Sequence, residues 1–278
     1  AARSVALLPG SFNPPTVAHL ALARAGLERG ADAALFSLAT RTVDKEVVTG
    51  AGLEDRLLLL ELLAARDPRL GVLLVNRGLY VDQAAAVRAA FPGLREVVFL
   101  VGHDKIVQIF DPRYYDDRDA ALERLFGLAR FLVAPRAEAG PGELAALLDR
   151  PENRRFASAV RPLDIAPMLR DVASSAVRAR VAGPDSTGAA RVAPPEEPIA
   201  VHGDDTPPRI EEQLPPECRV FVAATAAYAS EPAAERYRRR RALLDELETL
   251  ASGGATDEEL RARFRAVTAV IRPPKGPE

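Results

Sequence analysis

Residues 3–30 read RSVALLPGSFNPPTVAHLALARAGLERG, and this stretch decides the fold. An apolar run over residues 3–8 stops at a Pro-Gly pair, as a buried strand that leads into a turn does. From Thr16 onward the apolar residues recur at helical spacing, and the pattern ends near Gly30. The stretch is therefore predicted to form a strand, a loop and a helix in succession.

The same unit recurs along the first two thirds of the chain. Further strand candidates lie at 33–39, 71–76, 96–101 and 129–134, with helical segments at 52–66, 81–90 and 118–126 between them. These strands are rich in Val, Leu and Phe without polar alternation, which is typical of a parallel sheet covered by helices on both faces. The sequence predicts an α/β fold with a doubly wound parallel sheet. Ligands of such sheets bind at the carboxyl ends of the strands.

Composition excludes several classes of protein. The chain has 278 residues, and 37 Lys and Arg stand against 39 Asp and Glu. This balance offers no bulk attraction to nucleic acid or to an anionic membrane, so neither is expected as a partner. One cysteine and three histidines give no zinc-ligand spacing, and no metal site is expected. Without an apolar run of membrane-spanning length or a leader, the sequence predicts a cytoplasmic protein.

The loop after the first strand is suited to holding a phosphate group. Gly10 permits a tight turn with outward-facing backbone N–H groups, and two prolines stiffen the approach. Thr16 suits the N-cap of the helix that carries His19. One turn into that helix, the His19 ring would donate a hydrogen bond to a phosphoryl oxygen at the same anion site. Taken alone, His19 also fits a packed core histidine.

Two later segments carry groups of the same kind. Asp104 follows Gly102 at the end of a strand candidate, where a carboxylate can accept hydrogen bonds from a ribose diol. Ser174 and Ser175 open a predicted helix, whose N-terminal N–H groups and hydroxyls can bind phosphate, while Arg178 can fork onto a pyrophosphate. Alone, this segment also fits an ordinary N-cap followed by a solvated arginine.

Together these segments resemble the nicotinamide/nicotinate mononucleotide adenylyltransferases of the nucleotidyltransferase superfamily. The letters GSFNP at 10–14 with Thr16-x-x-His19 are similar to the first motif of the eukaryotic-type members, although Ala18 stands where the family has Gly. Residues 101–104, VGHD, are similar to the family's Gly-x-Asp signature.

The third motif lies at residues 172–178, VASSAVR, which are similar to the family's Ile-Ser-Ser-Thr-x-x-Arg. Ala173 occupies the place of the first Ser in that motif. The resemblance spans residues 3 to about 182, and it covers a predicted catalytic core at 1–183.

The resemblance implies an adenylyltransferase that joins ATP to a mononucleotide and releases pyrophosphate, with Mg²⁺ arriving on the ATP. It implies three catalytic residues, namely His19, Lys45 and Arg178. It implies contacts with ATP from Gly10, Ser11, Phe12, Thr16, Gly102, Asp104, Ser174 and Ser175. Lys45 lies in the loop after the second strand, at a position similar to that of a family lysine that reaches the phosphates. Asp44 and Glu46 could instead pair with Lys45 on the surface.

The acceptor is expected to be nicotinamide or nicotinate mononucleotide, contacted by Asn13, Lys105, Tyr114 and Tyr115. Family members usually follow the signature Asp with a Trp against the pyridine ring, whereas this chain has no Trp and offers Tyr114-Tyr115 in that region. Two alternatives therefore stay open. One is cytidylyl transfer or transfer to another phosphate acceptor, and the other is a nucleotide-binding sensor without turnover.

The last third of the chain differs in composition. Residues 184–217 hold eight prolines and eight acidic residues against two arginines, a net charge of −6, which predicts an extended connection. Residues 218–278 are predicted to be a C-terminal helical region, with helices at 231–250 and 256–268, while 218–228 fits either a helix or a strand. The acidic connection would repel ATP, so it is expected to carry these helices to another face or to a partner subunit of a homo-oligomer.

Overall fold

The computed structural model describes residues 2–40, 50–76, 78–135, 140–181 and 210–229, with separate positions at 234–235, 237–239, 241–242, 253, 256, 258–259 and 262. Strands and helices alternate in the order β1 (Ser4–Gly10), α1 (Val17–Glu28), β2 (Ala33–Ala39), α2 (Leu53–Ala64), β3 (Leu70–Val75), α3 (Tyr80–Ala90), β4 (Glu96–Gly102), α4 (His103–Phe110), α5 (Arg118–Leu128), β5 (Arg130–Ala134), α6 (Pro141–Leu148), β6 (Val160–Pro162), α7 (Ser174–Val181), α8 (Ile210–Gln213) and α9 (Pro216–Thr225).

All six strands form one sheet in the order β3-β2-β1-β4-β5-β6, and every neighbouring pair is parallel. The predicted doubly wound parallel sheet is confirmed. The direction of the winding reverses between β1 and β4, which opens a crevice outside their carboxyl ends. β1 ends at Gly10 and β4 ends at Gly102, so the first two predicted motifs lie at that switch point.

The sheet buries both of its faces, as the continuous apolar strands predict. On β1, Val5 and Leu7 pack into one cluster with residues of α3, α4, α5 and α6. Ala6 and Leu8 face the opposite way, into a cluster with residues of α1, α2, α7 and α9. Because these four strand residues are at most 4% exposed, β1 is fixed between two helical layers. The loop that follows it is therefore held at a defined position.

The predicted elements of the first 134 residues agree with the structure to within about two residues at their ends. Among the strands and α-helices of the described residues, four were not predicted, namely α4, α6, β6 and α8. β6 is three residues long and reads Val-Arg-Pro, so it lacks the apolar run that identifies the other strands. Residues 218–228 fall mostly in the helix α9, which resolves the choice between helix and strand.

The predicted extended connection is wrong over its last residues. Residues 210–213 form α8, and α9 begins at residue 216. Apolar burial holds this segment against the core. Leu214, just after α8, and Cys218, in α9, pack into the core cluster beneath α1 and α2. Residues 182–209, which carry most of the acidic charge, lie outside the described residues. The predicted boundaries at 183 and 217 stay predictions.

Two described tyrosines of the C-terminal region, Tyr228 and Tyr237, pack against the core, whereas most of residues 230–278 lie outside the described residues, so the expected placement of helices 231–268 stays a prediction. Tyr228 and Tyr237 cluster with Ala51 and Ala227, next to the start of α2 at the carboxyl edge of the sheet. The physical reason is that both rings are buried there while each hydroxyl has a polar partner in the core. Within the described part of the chain, none of the helices combines the length and the apolar character that a bilayer crossing requires.

Candidate active site

The loop between β1 and α1 is built around a buried phenylalanine. Phe12 has a φ of 48°, in the left-handed region that non-glycine residues rarely adopt, and its ring is only 1% exposed. A Cβ atom at Gly10 would lie 3.0 Å from that ring, so glycine lets the loop close over it. The Phe12 side chain is thus part of the core, and the predicted nucleotide contact of Phe12 could come only from its main chain.

His19 is held in one tautomer by Thr16. The Thr16 backbone N–H donates to His19 Nδ1 at 3.0 Å, and the Thr16 hydroxyl lies 2.8 Å from the same nitrogen. A backbone N–H can only donate, so Nδ1 is an acceptor and the ring proton resides on Nε2. The Phe12 ring meets the imidazole edge to face at 5.0 Å between centroids. His19 can therefore offer one oriented N–H donor through Nε2.

Burial keeps this imidazole neutral. Desolvation lowers the pKa of His19 from 6.5 to about 4, because the packed surroundings disfavour the imidazolium. At neutral pH the site therefore presents a neutral Nε2–H donor.

We expect the His19 ring to titrate with a midpoint near pH 4 in the folded protein. The unfolded chain keeps the ordinary value near 6.5, so between these two pH values protons bind preferentially to the unfolded chain. The stabilisation from the neutral ring is thus complete above pH 6.5 and is lost as the pH falls towards 4. NMR titration of the ring resonances measures the midpoint, and a His19→Asn variant assigns the signal. A midpoint near 6.5 would contradict the desolvated, neutral ring.

Three side chains from two helices, α2 and α7, hold the loop in place. From α2, Arg56 donates to the Ser11 carbonyl oxygen at 2.8 Å. From the start of α7, the Ser174 hydroxyl donates to the Pro14 carbonyl oxygen at 2.7 Å.

One turn further along α7, the Arg178 guanidinium donates to the Asn13 carbonyl oxygen. The first and third predicted motifs are therefore in direct contact, although about 160 residues separate them. The other N–H groups of a guanidinium can still donate to a ligand.

Arg56 is a functional candidate that the sequence reasoning missed. It is only 6% exposed, and burial lowers the pKa of its guanidinium. It also donates to the Gly52 carbonyl oxygen at 3.3 Å. A signal was available, because Arg56 falls at helical spacing in line with the buried Leu60 and Leu63. A charged residue on the apolar face of a helix indicates a buried polar contact.

Asn13, a predicted substrate contact, has its side-chain oxygen engaged within the protein. Oδ1 accepts from the Ala51 backbone N–H at 3.1 Å and from the Tyr228 hydroxyl at 2.9 Å. Asn13 is 4% exposed. The sequence motif gives no hint of this role, since one of these partners lies 215 residues away. A contact of Asn13 with substrate stays a prediction.

The second motif lies at the end of β4, next to β1 in the sheet. Gly102 is the N-cap of α4, and a Cβ atom there would meet nothing within 4 Å, so space is open at this point. Asp104 lies in the first turn of α4 and is exposed. Lys105 is exposed too, and its Nζ donates to Gln108 at 2.9 Å. The structure thus places Asp104 at the crevice edge where the ribose contact was predicted.

The two tyrosines near this motif differ in availability. Tyr115 packs against the core, and its hydroxyl donates to the Ile109 carbonyl oxygen at 2.7 Å. Tyr114 is 61% exposed. Among the described residues, no hydrogen bond joins either tyrosine to the loop between β1 and α1. Tyr114 is therefore the more accessible aromatic surface of the pair.

Lys45, the remaining predicted phosphate contact, lies outside the described residues. Ser175 is described and exposed in the first turn of α7. Over the described ranges, no cluster of three or more His, Cys, Asp or Glu side chains could hold a metal ion.

Comparison with known proteins places this arrangement in context. A family model described as cytidylyltransferase-like matches residues 7–180. A nicotinate-nucleotide adenylyltransferase of Laribacter hongkongensis is 32% identical over 200 residues, which cover 66% of this chain and 87% of that protein. A nicotinamide mononucleotide adenylyltransferase of Schizosaccharomyces pombe is 29% identical over 138 residues, 48% of this chain. The match covers 54% of the yeast protein, so this chain spans about half of that relative's length.

Among solved structures, Plasmodium falciparum nicotinic acid mononucleotide adenylyltransferase complexed with APC aligns with a TM-score of 0.53 at 12% identity. The alignment covers 81% of this chain and 97% of that one. At such low identity the likeness supports the fold alone.

Proposed function

Because the chain belongs to the cytidylyltransferase-like family, together with nicotinate-nucleotide adenylyltransferases, we propose that it transfers AMP from ATP to nicotinate or nicotinamide mononucleotide. The observation that carries the proposal is the neutral His19 with its proton on Nε2, one turn into α1 and beside a loop that Arg178 contacts. Such a pair of donors suits a site where phosphoryl charge develops and a pyrophosphate departs.

The proposed reaction is a direct displacement. An oxygen of the mononucleotide 5′-phosphate attacks the α-phosphorus of ATP, and the bond from that phosphorus to the bridging oxygen breaks. Pyrophosphate leaves with the electron pair, and the two nucleotides are joined through a new phosphoanhydride. Two polyanions must meet in this step, so the protein contributes mainly by aligning them and by stabilising charge.

Each residue has a separate part in this proposal. His19 Nε2–H donates to an oxygen of the α-phosphoryl group, and Arg178 binds the departing pyrophosphate. Asp104 accepts hydrogen bonds from a ribose at the crevice edge. Ser174 and Arg56 hold the loop by their contacts with main-chain oxygens, and their own role is to keep it rigid. Lys45 remains a proposed phosphate contact.

A divalent ion, Mg²⁺, is proposed to arrive bound to the ATP phosphates and to neutralise part of their charge. The described residues offer no cluster of carboxylates and imidazoles for a resident ion. In this proposal the ion would be held mainly by phosphate oxygens and water. Among the chain's own groups, the proposal gives catalytic parts to His19, Arg178 and Lys45. The cytoplasmic location expected from the sequence stays a prediction.

We expect the protein to release pyrophosphate from ATP when nicotinate or nicotinamide mononucleotide is the acceptor. A coupled pyrophosphate assay over a panel of mononucleotides, with CTP in place of ATP as a control, measures the preference. Formation of the matching dinucleotide confirms the product. Tight ATP binding without pyrophosphate release from any acceptor would instead identify a nucleotide sensor. Faster release from CTP would identify a cytidylyltransferase.

A further inference from the structure

Tyr228 lies beyond every predicted motif, yet it contacts the loop between β1 and α1. The helix α9 ends at Thr225, its C-cap Ala226 has a φ of 56° that turns the chain, and Tyr228 follows two residues later. The Tyr228 ring is 5% exposed, and its hydroxyl lies 2.9 Å from Asn13 Oδ1. Burial raises the pKa of this hydroxyl strongly, so it remains protonated and donates the hydrogen bond.

The ring is fixed from the other side by Gly50. A Cβ atom at this glycine would lie 2.5 Å from the Tyr228 ring and 2.9 Å from Asn13 Oδ1. Gly50 also has a φ of 99°, which favours glycine at this position. The close approach leaves the ring little room to move. The Tyr228 hydroxyl is therefore a fixed donor for Asn13.

Asn13 connects this donor to Arg178. The side-chain oxygen of Asn13 is held by Tyr228 and by the Ala51 N–H, and its main-chain oxygen accepts from the Arg178 guanidinium. The same apolar cluster that contains Tyr228 also packs against Val181, near the end of the helix that carries Arg178. Any shift of Asn13 would therefore move the acceptor that orients Arg178.

We propose that Tyr228 is a positioning residue for nucleotidyl transfer, which fixes Asn13 and, through the Asn13 carbonyl group, the guanidinium of Arg178. This inference rests on the proposed function, since it assigns Arg178 to the pyrophosphate. Tyr228 itself touches no substrate. The proposal makes the C-terminal region part of the transfer site, although that region carries no motif of its own.

The test compares Tyr228→Phe with a matched variant of the same region, Tyr237→Phe. The Tyr237 hydroxyl donates to Asp55 at 2.6 Å and accepts from the Gly52 N–H at 2.7 Å, and both of these partners lie at the start of α2. In Tyr228→Phe the ring still fills its space, and Asn13 Oδ1 keeps the Ala51 N–H, so the fold is retained. We expect kcat/KM for ATP to fall about tenfold in Tyr228→Phe. In Tyr237→Phe it stays within about twofold of the unmodified protein while the Tm falls.

A double-mutant cycle separates positioning from general stability. If Tyr228 acts through Arg178, adding Tyr228→Phe to Arg178→Ala changes kcat/KM by less than about twofold. Wild-type kinetics in Tyr228→Phe, an equal loss in Tyr237→Phe, or the full tenfold loss in the Arg178→Ala background would each overturn the proposal. Calorimetry with pyrophosphate on the same proteins gives a second readout. If the unmodified protein shows no turnover, the proposed function fails. The positioning role is then decided by pyrophosphate affinity alone. It is supported if Tyr228→Phe weakens pyrophosphate binding only while Arg178 is present, and it is rejected if the losses from the two substitutions simply add.

Discussion

Replacing His19 with alanine is expected to lower kcat by about 100-fold or more in a protein that still folds. The loss follows from the geometry of the ring, because Thr16 occupies Nδ1 and leaves Nε2–H as an oriented donor. Such a donor, fixed before the reaction, stabilises charge that grows on the phosphoryl group without any cost of reorganisation. Steady-state kinetics of pyrophosphate release, with circular dichroism to verify folding, measures the effect.

Two further variants at the same position identify the atom that acts. The amide nitrogen of glutamine can reach near the place of Nε2, whereas the amide of asparagine reaches only near Nδ1. We therefore expect His19→Gln to recover a substantial part of kcat, and His19→Asn to be as slow as the alanine variant. A folded His19→Ala protein within a few-fold of normal turnover would show that the imidazole has no catalytic role. Equal rates for the two amides would argue against donation through Nε2.

Alanine substitutions of Arg178 and of Asp104 are expected to change the binding of ATP and of pyrophosphate in different ways. Arg178→Ala should weaken binding of both ATP and free pyrophosphate and lower kcat/KM by about 100-fold, because a charge-assisted fork onto the leaving group is lost. Asp104→Ala should weaken nucleotides by about tenfold through the ribose and leave pyrophosphate binding nearly unchanged. Calorimetry with ATP and with pyrophosphate separates the two patterns.

Arg180 provides the matched control for this pair of variants. It is an exposed arginine on the same helix, two residues beyond Arg178, so Arg180→Ala removes the same charge from α7 away from the loop. Binding of pyrophosphate should be nearly unaffected in that variant. Loss of pyrophosphate binding in Asp104→Ala, or equal losses in both arginine variants, would refute the assigned roles.

Local patterns explain how much could be predicted from the sequence. Apart from α4, the strands and α-helices of residues 3–134 follow from apolar periodicity, and the Thr16 and His19 pair lies within one helical turn. The doubly wound sheet follows as well, since alternating buried strands and helices leave few other arrangements. These inferences need only residues that are close together in the chain.

The missing parts depend on contacts between distant residues. Arg56 meets Ser11 across 45 positions and Tyr228 meets Asn13 across 215, and neither spacing has a periodic signature. The contacts of Tyr228 and Tyr237 with the core could not be predicted for the same reason, because net charge and composition do not encode which buried hydroxyl meets which acceptor. β6 was missed because three residues are too few to show a pattern.

The order of strands in the sheet has a consequence for synthesis on the ribosome. β1 is made before the other five strands of the sheet, yet it lies in the middle and pairs with β4, whose residues emerge about 90 positions later. The residues that contact the loop after β1 are made later still, first 174 and 178 and finally 228. A nascent chain therefore completes its sheet well before it completes its loop. Of the six strands, the one translated first leads into the loop whose described contacts are completed last.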